Sequence, residues 1–285
     1  MCYTDGDAVL TFPAITVFAD RFERKNKMEK KKLYEKVRAC DNICGTHMAL
    51  NCPQTTEILG SLGFDFIWVD TEHTSAGYQD LYYHIKGAQA AGTPVIVRVP
   101  MHDRNFVKKV LEMGVDGIIF PMVDTPEEAA RDMSYVMYPP EGIRGFGPLG
   151  AVRWGLDDLD EYIKTSNERL CRFIQIETIT AVKNLPEIVK NPYIDGYIFG
   201  PCDLSGSIGE LNQVFGEHNV ALIKEAIAIL KANHKCIGVS TGSDDPKILQ
   251  FWHDLGINMI STGVDYAYMM KAAMANLKNI REIQK

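Results

Sequence analysis

Several short apolar runs in this 285-residue chain end in ionisable side chains. Reading the residue that closes each run gives His47, Asp70 with Glu72 and His73, Arg98, Glu177 and Asp203. Glu177 ends Phe-Ile-Gln-Ile-Glu, and Asp203 follows Tyr-Ile-Phe-Gly-Pro-Cys. Two such carboxylates, with room for water, suit a hard divalent cation: Mg²⁺ takes one or two carboxylates plus waters and substrate oxygens, and Mn²⁺ or Co²⁺ fits the same oxygen-rich site. The other reading is that each caps a helix or pairs with an arginine. Arg98 ends Val-Ile-Val-Arg. Its guanidinium could clamp a carboxylate or steady an enolate, or it could form a structural ion pair. His73 could be a general base near neutral pH, or a polar surface residue. No lysine closes a run: Lys86, Lys108 and Lys109 fall in helix patterns, so a Schiff-base mechanism lacks its amine.

These residues need elements to hold them. Strand candidates are Ile43–Thr46, Phe64–Asp70, Pro94–Val99, Gly117–Pro121, Arg172–Glu177, Gly196–Gly200, Cys236–Ser240 and Met259–Thr262. All are short and rich in Val, Ile and Phe, as strands buried on both faces should be. Helix candidates between and after them are Thr55–Leu62, Gln79–Ala91, Asp103–Met113, Thr125–Met137, Asp158–Asn167, Ala181–Lys190, Val220–Asn233, Pro246–Leu255 and Tyr266–Ile280. Gly92 and Gly114 are natural helix stops, and Thr-Pro-Glu-Glu at 125–128 is a natural start. Eight strands alternating with helices predict an α/β fold, a (β/α)₈ TIM barrel, whose catalytic groups sit at the C-terminal strand ends. An open doubly wound sheet is the alternative, weakened by the lack of a G-x-G-x-x-G between strand and helix.

One connection is long. Tyr138 to Asp157 is rich in Gly and Pro and carries Arg144, Arg153 and Trp154. A loop of that length is usually functional, and otherwise is a surface crossover. Ser240-Thr241-Gly242 and Thr262-Gly263 read as tight turns with helix caps, or as a phosphate site.

Composition narrows the partners. Lys+Arg is 30 and Asp+Glu is 37, a formal charge of −7. Without a basic field, neither nucleic acid nor an anionic membrane surface is the expected partner. The seven cysteines make no disulfide framework, and Cys40 with Cys44 lacks a second pair for zinc. That usage suits a reducing, cytoplasmic setting. Residues 1–27 differ from the rest: acidic residues precede the apolar run Ala8 to Ala19, and Met28 reads as a natural start. We expect a dispensable extension there, and a single barrel domain over residues 28–285.

Five motifs then occur in order: Asp70-Thr71-Glu72-His73, Val97-Arg98-Val99-Pro100, Tyr138-Pro139-Pro140-Glu141-Gly142-Ile143-Arg144-Gly145, Gln175-Ile176-Glu177, and Gly200-Pro201-Cys202-Asp203-Leu204-Ser205-Gly206-Ser207-Ile208-Gly209. The ordered set resembles the HpcH/HpaI family of class II, metal-dependent pyruvate aldolases, from about Leu33 to Met270. The resemblance implies a barrel of the pyruvate/phosphoenolpyruvate superfamily, usually a hexamer that exchanges its last helix. It implies retro-aldol cleavage of a 4-hydroxy-2-oxo acid to pyruvate and an aldehyde, through a metal-stabilised enolate. It makes Glu177 and Asp203 the metal ligands, Arg98 the contact to the pyruvate oxygens, and His73 the base. Gly200 and Cys202 match backbone N–H positions for the pyruvate carboxylate; Gln175 and Asp70 belong to the site lining.

Two positions depart from the family pattern. An aspartate that partners the base matches Glu112, fourteen residues after Arg98, which implies a His73–Glu112 dyad. The residue shaping the aldehyde pocket matches His47, which implies a polar acceptor end and a hydroxylated or acidic aldehyde. A lyase for malyl- or citramalyl-type acids or thioesters is a second reading, disfavoured by the lack of a basic patch for coenzyme A phosphates. A non-catalytic binding barrel is a third, and would not need Glu177, Asp203, Arg98 and His73 together.

Overall fold

A computed structural model describes residues 31–285. The proposed extension, residues 1–27, lies outside the described residues. Contacts divide the chain into Met1–Lys32 and Leu33–Lys285; the fold below is that of the second unit.

The elements in chain order are α1 (Leu33–Arg38), β1 (Ile43–Met48), α2 (Pro53–Gly60), β2 (Phe66–Asp70), α3 (Tyr78–Ala91), β3 (Val95–Arg98), α4 (Arg104–Glu112), β4 (Gly117–Phe120), α5 (Pro126–Val136), α6 (Leu159–Arg169), β5 (Cys171–Ile176), α7 (Ile179–Ile188), β6 (Gly196–Phe199), α8 (Pro201–Ser207), α9 (Glu217–Ala232), β7 (Cys236–Ser240), α10 (Pro246–Leu255), β8 (Met259–Val264) and α11 (Asp265–Ile283). The eight strands close in sequence order into a parallel barrel, with β1 paired to both β2 and β8. The expected TIM barrel is therefore present.

Size complementarity fills the barrel interior. Phe66, Trp68, Ile96, Ile119, Phe173, Ile198 and Met259 form its core. Glycines make room for the rings: a Cβ on Gly45 would overlap the Phe66 ring, and one on Gly196 would lie 2.8 Å from Phe173. Outward-facing residues such as Ile118, Phe120, Ile174, Tyr197 and Phe199 pack against the helices. Alternate residues of one strand thus serve two cores.

Local chemistry sets the helix ends near the site. Asp103 caps α4, accepting from the Phe106 N–H at 2.7 Å. Thr125 and Glu128 form a capping box at α5. Thr178 caps α7 through the Ala181 N–H at 3.0 Å. The Asp103 and Thr178 caps start their helices just after the strand ends that carry Arg98 and Glu177.

Three expectations change. The first strand runs to Met48, so His47 lies inside it, opposite Trp68. The second begins at Phe66, because Asp65 is taken up by the Cys44 N–H at 2.9 Å and by Lys36. The long connection holds a kinked 3₁₀ segment at Gly150–Gly155, broken at Val152–Trp154, where Arg153 and Trp154 have φ of 46° and 62°. It joins α5 to α6 and runs along α4: Arg104 Nη2 donates to the Ile143 carbonyl at 2.5 Å, and Gly150 lies against the Glu112 and Met113 backbone. There Arg144 is buried between rings, 4.4 Å from the Tyr138 centroid, with a 2.8 Å hydrogen bond to the Tyr162 hydroxyl. Arg153 pairs with Asp157 on the surface. This loop's arginines are thus taken up by contacts within the loop and with α6.

Candidate active site

Arg98 is the hub of the strand ends. Its Nε and Nη2 donate to the two Asp70 carboxylate oxygens at 2.9 and 2.7 Å. Register explains the fork: Asp70 closes β2 directly beside Arg98 on β3. Nη1 lies 2.9 Å from Glu72 Oε2 and 3.4 Å from Gln175 Oε1. The guanidinium also stands 5.5 Å from the Trp68 ring centroid. Arg98 is thus both a strand-end cation and a partner in a structural ion pair; the two readings coexist. Burial alone would raise the Asp70 pKa, but the Arg98 hydrogen bonds and charge hold it below the usual carboxylate range.

Glu177, just past β5, is almost wholly buried. Gln175 Nε2 donates to its Oε1 at 2.7 Å, and the Met122 N–H donates to its Oε2 at 2.9 Å. Burial pushes its pKa up to about 7; Glu72 and Asp203 repel its charge, while the Met122 N–H and Arg98 favour it. Gly200 caps α8, and a Cβ there would overlap Glu177 Oε1. Asp203 and Cys202 sit exposed in the first turn of α8, where unpaired backbone N–H groups point outward.

The sequence places Glu72 among the ionisable groups closing the second run but gives it no role. Besides Arg98, its Oε2 lies 3.6 Å from His73 Nε2. Burial raises its pKa, with repulsion from Asp70 and Asp203 against attraction from Arg98 and His73. Its place two residues after a strand-end aspartate was the available signal.

His47 is buried against Trp68, ring centroids 4.8 Å apart. Its Nδ1 lies 3.2 Å from the Gly263 carbonyl, which can only accept, so Nδ1 carries the proton. Nε2 lies 3.1 Å from Ser240 Oγ and can accept from that hydroxyl. Burial drives the His47 pKa down to about 4, and Arg98 pushes the same way. Gly242 and Gly263 have φ of 59° and 58°, the geometry of tight turns.

One pair is not brought together. Glu112 is the last residue of α4 and makes no hydrogen bond or ion pair with His73. It lines a surface cavity of about 270 Å³ with Tyr78, Lys109, Leu149 and Trp154. Within one chain the expected His73–Glu112 dyad does not form; His73 is paired with Glu72.

The arrangement can be tested for a metal. Four carboxylates (Asp70, Glu72, Glu177 and Asp203) interact around one guanidinium, a formal excess of three negative charges. Among the described residues no group of three or more His, Cys, Asp or Glu is arranged to hold a metal. Two protein carboxylates with the remaining positions left to water and substrate suit Mg²⁺-like ions. The excess charge and the buried Glu177 fit such a cation.

Residues 44–272 match the family model described as HpcH/HpaI aldolase/citrate lyase. The chain is 32% identical over 231 residues to the hydroxypyruvate/pyruvate aldolase of Deinococcus radiodurans, covering 80% of this chain and 82% of that one. It is 30% identical over 254 residues to the 2-keto-3-deoxy-L-rhamnonate aldolase of Salmonella gallinarum, covering 87% and 94%. Among solved structures, an HpcH/HpaI aldolase of Desulfitobacterium hafniense superposes with a TM-score of 0.81 at 26% identity, covering 89% and 98%.

Proposed function

The chain belongs to the HpcH/HpaI aldolase/citrate lyase family, and from that premise we propose a carbon–carbon lyase that cleaves a 4-hydroxy-2-oxo acid to pyruvate and an aldehyde. The observation that carries this reading is the cluster of Asp70, Glu72, Glu177 and Asp203 around Arg98 at the strand ends.

Glu177 and Asp203 would hold a divalent cation, Mg²⁺, Mn²⁺ or Co²⁺, which when bound polarises the 2-oxo group as a Lewis acid. The residues do the rest. Arg98, kept rigid by Asp70, adds positive charge where the enolate oxygen develops. Gln175 holds Glu177 and touches Arg98, keeping the two at fixed separation. The N–H groups opening α8 at Cys202, beside the side-chain-free Gly200, bind the pyruvyl carboxylate. His73, poised by Glu72, removes the 4-hydroxyl proton through a water. The C3–C4 bond then breaks, its electron pair forms the enolate, and C4 leaves as the aldehyde. Returning the proton to C3 yields the pyruvate methyl. His47 with Ser240 lines the acceptor end, which favours a hydroxylated or acidic aldehyde.

The protein acts on small molecules, and no described helix is long and apolar enough to cross a membrane. We place it in the cytoplasm and as a homo-oligomer, a hexamer by family likeness. Two features support assembly. The last helix, α11, exposes Met269, Met270, Met274, Leu277 and Ile280. Glu112 and His73 make no contact within one chain, so the pairing that family likeness implies would join two copies. Residues 28–285 would form the single catalytic domain.

The test is pyruvate release from a panel of 4-hydroxy-2-oxo acids, read by coupled NADH oxidation, with metal-stripped and Mn²⁺-loaded protein. Release confined to the loaded protein is expected. Cleavage of malyl or citramalyl thioesters instead would overturn the substrate assignment.

A further inference from the structure

We propose that Met122 is a positioning residue: its peptide N–H fixes the Glu177 carboxylate for the cation, and the left-handed backbone at 122 belongs to that device. The inference rests on Glu177 being a metal ligand, as argued above.

Met122 follows the end of β4 with φ of 50°. An unbranched but non-glycine residue in this region is strained, and such strain persists where surrounding structure over-determines it. Core packing does not explain it, because the Met122 side chain is exposed. Its N–H, however, donates to Glu177 Oε2 at 2.9 Å. Gln175 supplies the matching donor to Oε1 at 2.7 Å. Each carboxylate oxygen therefore has one protein donor and keeps lone-pair capacity for a cation.

The turn is tied to the ligand segment a second time. The Thr178 hydroxyl, next to Glu177, donates to Asp124 Oδ1 at 2.5 Å, and Asn184 Nδ2 donates to the Asp124 carbonyl at 2.8 Å. Val123 between them is fully buried. Residues 122–124 thus clasp 177–178 at two points, and the chain leaving β4 has one path. Donors that orient ligating carboxylates govern metal affinity. Here the donor is main chain, so no side chain at 122 can reproduce it.

Incorporating the α-hydroxy analogue of methionine at 122 replaces the N–H by an ester oxygen. Calorimetric titration with Mn²⁺ should show binding weakened by at least about tenfold. Met122→Gly, which retains the N–H and removes the strained Cβ, should bind Mn²⁺ as tightly as the unmodified chain or more tightly. An ester protein with unchanged Mn²⁺ affinity would overturn the proposal. If the ester chain does not fold, Asp124→Ala, which opens the second tie, should weaken Mn²⁺ binding by about threefold or more, and unchanged affinity would again overturn it. An unmodified protein that takes up no divalent cation would instead remove Glu177 as a ligand.

Discussion

Glu177 Oε1 occupies the space into which a side chain at position 200 would grow. The two residues directly follow the neighbouring strands β5 and β6, and the carboxylate reaches its place only because Gly200 has no Cβ. Gly200→Ala must therefore displace Glu177 or α8. Overpacking of this kind costs about 1–3 kcal/mol. The fold should survive, with a modest fall in Tm, while Mn²⁺ affinity drops by about tenfold or more. Circular dichroism and calorimetric titration separate the two effects; wild-type Mn²⁺ binding by the alanine variant would dismiss this steric relationship.

His47 makes stability depend on acidity. Its folded pKa is about 4 against an ordinary 6.5, so between those values the unfolded chain binds more protons. Stability from this group is complete above pH 6.5 and declines as pH falls toward 4. The shift corresponds to about 3 kcal/mol. Urea unfolding at pH 7 and pH 4.5 should show a larger loss for the natural protein than for His47→Asn. Parallel losses in both would mean that His47 is protonated in the fold.

Glu112 and His73 test the assembly. They make no contact within one chain, yet family likeness pairs them. Mixing His73→Ala chains with Glu112→Ala chains, after dissociation and reassembly, should restore part of the activity that each lacks alone. Mixtures as inactive as either parent would leave Glu72 as the sole partner of the base.

Much of this was legible in the residues. Buried parallel strands announce themselves as short Val/Ile runs, and Thr125, Asp103 and Gly92 punctuate the helices by chemistry that acts within one turn. The ionisable residues closing those runs fell on the catalytic face because strand ends are local. What escaped depends on contacts distant in sequence. The brevity of α8 hid it within the motif around Asp203. Nothing near Met122 announces a left-handed turn, because its purpose lies at Glu177, just past the next strand but 55 residues away in sequence. The surroundings of Glu112 were hidden for the same reason: they are made by the loop from Tyr138 to Asp157 packing along α4, a contact distant in sequence.

Enolate formation is the central claim, and proton exchange reads it without any choice of aldehyde. Metal-stripped protein is incubated with pyruvate in D₂O, with and without Mg²⁺ or Mn²⁺, and the methyl signal is followed by NMR. The account predicts metal-dependent loss of that signal, abolished in Glu177→Ala and strongly slowed in Arg98→Ala. A folded natural protein that exchanges no methyl protons with any divalent cation present would contradict it.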